Sequence, residues 1–85
     1  MVHTIVATNA GVVTTMAVQI ERIRWTGNIA NSQTCLVQDN LGRVIFQGNA
    51  TKVNDIIEED FKRPIPFQGI NVIQIDSGTL VFFYR

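Results

Sequence analysis

Apolar positions recur along this chain in short runs, and residues that favour turns separate them. That spacing belongs to strands rather than helices. The first run covers residues 2–8 and ends at Asn9-Ala10-Gly11. The second, residues 12–25, is long enough for one bent strand or two. Its inward set changes parity: Val18 and Ile20 are even, Ile23 and Trp25 odd. A one-residue slip of this kind predicts a bulge near Glu21-Arg22. Thr26-Gly27-Asn28 opens a polar loop through Ser32. Residues 34–39 and 43–47 form two runs around the turn signal Asn40-Leu41-Gly42. Residues 51–61 admit either one helical turn or a strand around Ile56-Ile57; the run is too short for a helical period, which favours an extended piece. Pro64 and Pro66 stand too close for a helix or a central strand, so they predict an edge segment or a loop. Residues 70–75, the turn Asp76-Ser77-Gly78 and residues 79–84 complete the chain. The pattern predicts one all-β domain over residues 1–85: a small antiparallel β-sandwich or barrel of about seven or eight short strands.

The final run breaks the alternation. Leu80, Val81, Phe82, Phe83 and Tyr84 are apolar at every position, as in a strand covered on both faces. One face is expected to fill the domain's own core and the other to meet a second chain. Composition supports this. Apolar residues make up 46% of the chain and charged residues 16%, against about 25% charged in ordinary soluble domains. With one cysteine and one histidine, neither an internal disulfide nor a His/Cys zinc site can brace so small a core. Partner chains are the remaining brace. Seven basic residues balance seven acidic ones, which argues against nucleic acid and against a polybasic membrane contact. No apolar run is long enough to span a bilayer. Residues 1–18 lack a basic lead-in and are not expected to act as a signal peptide. A single unpaired cysteine fits a reducing compartment.

Candidate chemistry is sparse. A nucleophile–base arrangement would have to recruit His3, close to the chain start. Cys35, between Thr34 and Leu36, reads as a buried structural thiol. Asp55, Glu58, Glu59 and Asp60 lack the interleaved Asp/Asn and Gly of a calcium loop, and read as a solvated acidic strip. Arg22, Arg24 and Trp25 admit a basic-aromatic patch for a sugar or other ligand. Arg22 and Arg24 alternate with Ile23 and Trp25, however, so the favoured reading makes Trp25 a core anchor below a wet face. No catalytic residue, cofactor or metal is expected.

Four stretches taken together carry a resemblance: His3 to Gly11, Ile20-Glu21-Arg22-Ile23-Arg24-Trp25, Val37-Gln38-Asp39-Asn40-Leu41-Gly42-Arg43-Val44-Ile45-Phe46, and Pro64-Ile65-Pro66-Phe67-Gln68-Gly69-Ile70 with Ile75 to Val81. The layout resembles the small β-rich structural proteins of tailed-bacteriophage virions, several of which decorate or cement the capsid. The resemblance implies self-association, as a trimer or another ring, and attachment to the major capsid protein or another virion protein. It implies a place on the capsid surface after assembly in the host cytoplasm. Leu80, Val81, Phe82, Phe83 and Tyr84 are the expected self-association segment. Pro64, Ile65, Pro66 and Phe67 are the expected docking edge. The alternative is a small carbohydrate- or ligand-binding β module, a tail or fibre component included, using Trp25, Arg22 and Arg24.

Overall fold

The computed structural model describes residues 2–85, and it is all-β. Six strands follow in chain order: β1 (His3–Ala7), β2 (Gly11–Thr26), β3 (Thr34–Gln38), β4 (Val44–Asn49), β5 (Ile56–Ile75) and β6 (Thr79–Tyr84). They form one antiparallel sheet in the order β1-β6-β2-β5-β3-β4, with β1 and β4 at its edges. The expectation of seven or eight strands in a sandwich or barrel is corrected here: there are six, and the sheet does not close. The excess came from cutting β2 and β5 at their irregularities. Both strands run through bulges without losing their hydrogen-bonded neighbours.

β2 and β5 each serve two neighbourhoods. Residues 11–18 of β2 pair only with β5, from Val72 back to Phe67. Residues 20–26 pair with β5 on one side and β6 on the other. The register slips between Ile20 and Arg22 in both pairings, so Glu21 is the bulged residue. On β5 the same irregularity takes up residues 61–64, the first of the two prolines among them. Pro66 pairs with Gln19 beyond it. Residues 71–75 pair with β3, leaving the flank of residues 56–66 away from β2 without a strand. Proline has no N–H to donate, so an unpaired flank is where it can stand in a sheet.

Chain connectivity forces β2 to bend. Ala7 pairs with Leu80, which pairs with Trp25. Two ladder spacings and the short link to Gly11 hold Gly11 within about 24 Å of Trp25. A straight strand from Gly11 to Trp25 would run about 46 Å, whereas the longest dimension of the molecule is 33 Å. The bulges at residues 12–17 and at Glu21 make the bend. The sheet therefore curls, and β4 packs onto Trp25 although β5 and β3 lie between β4 and β2 in the sheet. Gly48 approaches so closely that a Cβ there would stand 2.9 Å from the indole Cε3.

The curl encloses the core. Ile20, Ile23, Trp25, Val37, Ile70, Val72, Leu80 and Phe82 are each at most 1% exposed. The Trp25 Nε1–H donates to the Ser77 carbonyl at 2.8 Å, which satisfies the buried indole's polar atom. Two buried polar side chains fasten the loops. Asn28 donates to the Ala30 and Lys52 carbonyls, both at 2.7 Å, and accepts from the Asp55 N–H at 2.8 Å. Asp39 accepts from the Leu41 and Arg43 N–H groups at 3.0 and 2.8 Å and from Arg43 Nε at 2.7 Å. It also takes the Gln68 N–H, tying the β3–β4 turn to β5. Gly69 lies against this junction at φ 82°, and a Cβ there would meet the Thr14 carbonyl oxygen at 2.6 Å.

Candidate functional site

Cross-strand register sorts the side chains of four neighbouring strands into two faces. Ala7, Leu80, Trp25 and Ile57 form one row toward the core, and Ile5, Phe82 and Ile23 another. The intervening rows point outward. Val6, Val81, Arg24 and Glu58 make the first outer row; Thr4, Phe83, Arg22 and Asp60 make the second. The outer face is thus apolar at β1 and β6 and charged at β2 and β5.

Three of the four charged side chains in these rows, Arg24, Glu58 and Arg22, are already engaged. Arg24 Nε meets Glu58 Oε2 at 2.7 Å, with both side chains partly in water. Such an exposed pair contributes at most about 1 kcal/mol. The Arg22 guanidinium lies 4.3 Å from the centre of the Phe83 ring, a cation–π contact that also shields the ring. Where Glu21 bulges from β2, an open cavity of about 430 Å³ is lined by Val2, Glu21, Arg22, Asp60, Phe61, Lys62 and Phe83. Two acids and two bases line it, so it selects no ligand by charge. Arg85 holds Glu21 at 2.9 Å. A second cavity of about 290 Å³ lies between β1 and the first half of β2, walled by Ile5, Met16, Val18 and Tyr84 among others.

The residues singled out from the sequence divide as follows. Leu80 and Phe82 are core side chains with no exposed surface, so they are not available to a neighbouring chain. Val81 and Phe83 face outward, half-buried, and Tyr84 packs at the core margin against His3 at 5.4 Å between ring centres. Within the proline segment, Phe67 is turned into the core, beside Phe61 and below Arg43. Pro64 is half-buried, and Ile65 and Pro66 are exposed on β5. Trp25 is 1% exposed, enclosed rather than offered as a stacking platform.

The acidic run does not converge. Asp55 closes its own loop, accepting from the Thr51 N–H and hydroxyl and the Ile56 N–H. Glu58 and Asp60 lie on the outer face, and Glu59 points to the opposite side. Among the described residues no three His, Cys, Asp or Glu side chains gather as metal ligands.

The shifted ionisable groups are structural. The main-chain N–H of Thr51 holds the Asp55 carboxyl below its ordinary range. The Thr34 N–H and the Gln74 amide do the same for Asp76. At Asp39, loss of hydration works upward, but hydrogen bonds from Arg43, Leu41 and Gln68 outweigh it and the carboxyl is lowered. Burial, with the Asp76 charge second, pushes the Cys35 thiol up to about 12. Such a thiol is a poor nucleophile. Sequence reasoning missed Asn28 and Asp39 as buried junctions; the available signal was an Asx residue next to Gly27 in the first case and three residues before the turn glycine Gly42 in the second.

No protein-family model, curated protein or solved structure matches this chain.

Proposed function

We propose that this chain is a structural protein that works by surface contact with other protein chains, and that it serves as a capsid decoration or cement protein of a tailed-phage virion. One observation carries the first half of this reading. Among the described residues eleven large apolar side chains are exposed, including Met16 at 73%, Ile29 at 74%, Leu41 at 70% and Val6 at 60%. An 85-residue domain with few charges to offset that surface gains by covering it against protein. The resemblance of the sequence layout to small virion proteins supplies the second half. Repeated copies on a shell make many modest contacts act together, so tight attachment needs no deep pocket.

The sugar-binding alternative needs an exposed stacking ring, and the indole of Trp25 is sealed beneath β4. The test is biochemical. Peptides of this chain should be found at fixed stoichiometry in purified virions of the phage that encodes it. The recombinant chain should bind shells lacking it and raise their resistance to heat. Absence from virions, with no binding to shells, would reject the reading.

A further inference from the structure

The free flanks of this sheet are not equally guarded. An unpaired strand edge invites another strand, and proteins normally blunt it with proline, charge or a bulge. The free flank of β5 carries Pro64 and Pro66, the residue 61–64 irregularity, and Lys62 and Arg63. The free flank of β2, residues 11–18, is broken by two register shifts. β4 curls inward over Trp25 and begins directly after Arg43. Among the described residues, β1 alone has none of these devices. Its register with β6 runs unbroken from His3↔Tyr84 to Ala7↔Leu80. It has no proline, and no Asp, Glu, Lys or Arg occurs before Glu21.

We propose that β1 pairs with β1 of a second copy of this chain, antiparallel across a two-fold axis, to give one continuous sheet through both molecules. Charge selects the occupant. The charges near β1 are engaged: Arg22 with Phe83, Arg24 with Glu58, and Arg85, which lines a cavity with His3 and Ile5, with Glu21. A charged strand laid on β1 would find no counter-charge, whereas a second neutral β1 meets no penalty. Antiparallel pairing of one segment with itself is self-complementary, as a two-fold interface requires. Val6 lies beside Val81 and Thr4 beside Phe83 on the outer face; self-pairing sets Val6 of each copy against Thr4 of the other, so the outer face crosses the joint without a charge. The ladder spans only five residues per copy. The contact is therefore weak, suited to a molecule held in an array. The inference deepens the structural-protein reading above and rests on it for its biological use.

Sedimentation equilibrium of the whole chain up to millimolar concentration, with amide exchange of β1 at both ends of that range, tests the pairing. The expected result is a reversible monomer–dimer equilibrium, with β1 amides exchanging more slowly as dimer forms. Val6→Lys and Thr4→Lys each place a charge on the outer face at the joint, opposite Thr4 and Val6 of the second copy, with the symmetry-related lysine on the diagonal. Each should weaken the dimer by about tenfold or more, with the Trp25 emission unchanged. Ile73→Lys, on exposed β5, should leave the dimer intact. A monomer at every concentration, β1 exchange independent of concentration, or equal weakening by Ile73→Lys overturns the proposal. Presence of the chain in virions without self-pairing rejects this inference alone. Self-pairing of a chain absent from virions rejects the virion reading alone.

Discussion

Gly48→Ala tests the curl of the sheet, because a single methyl is asked to enter the space between β4 and β2. The new Cβ would stand 2.9 Å from Trp25 Cε3 and 3.2 Å from two atoms of the Phe46 ring. Neither ring has room to retreat: Trp25 is 1% exposed and Phe46 5%. Overpacking of this kind costs about 1–3 kcal/mol. Replacing a strand glycine by alanine recovers about 0.5–1 kcal/mol of backbone entropy. Steric conflict wins, and the net loss is about 1–2 kcal/mol. For a domain of this size that lowers the melting temperature by roughly 5–15 °C. Thermal and urea unfolding followed by tryptophan emission read both the loss and any change around the indole. If Gly48→Ala melts at or above the wild-type temperature, only the entropy gain is operating. β4 then does not lie on Trp25 in solution.

Three further outcomes follow from the two faces and the buried groups. Leu80→Lys with Phe82→Lys should unfold the chain, and Phe82→Ala alone should cost about 3–5 kcal/mol; Val81→Lys with Phe83→Lys should leave the circular dichroism spectrum of the native protein. The Cys35 thiol should resist a thiol reagent at pH 8 in the native state and react once the chain is unfolded in urea. Asp39 titrates lower in the folded chain than its unfolded value of about 3.9, so its stabilisation is present above that pH and lost as the pH falls through the folded value. Asp39→Asn should lower the urea midpoint at pH 7 and flatten the decline expected of the wild type as the pH falls below about 4.

The parts of the fold legible in the sequence were those set by neighbours along the chain. The parity change between Ile20 and Ile23 located the Glu21 bulge, because side-chain direction alternates strictly along a strand. The spacing of Ile23 and Trp25 likewise marked the inward face, and the turns at Asn9–Gly11, Asn40–Gly42 and Asp76–Gly78 punctuate the strands where they were expected. What escaped was set by neighbours across the sheet. Residues 51–61 and the prolines read as separate pieces: Pro64 and Pro66 do signal an edge, but nothing local says that the strand bearing them runs on from Ile56 to Ile75. The five apolar residues of β6 gave two faces but not their owners; only the register with Ile23 and Trp25 assigns Leu80 and Phe82 to the core. Asp39 read only as the last residue of the 34–39 run, because one of its donors, Gln68, comes from β5.

The position of β1 beside β6 has a consequence for biosynthesis. Of these six strands a ribosome makes β1 first and β6 last, yet among the described residues β1 pairs with β6 alone. The β3–β4 hairpin can close as soon as it emerges, since its partners are near in sequence. β1 must wait for nearly the whole domain, and the long-range closure of His3 onto Tyr84 is the kind of contact that folds slowly. Throughout that interval a neutral, strand-forming stretch stands without its partner strand and is open to any other strand it meets. Translation rate and local crowding therefore influence which strand reaches β1 first.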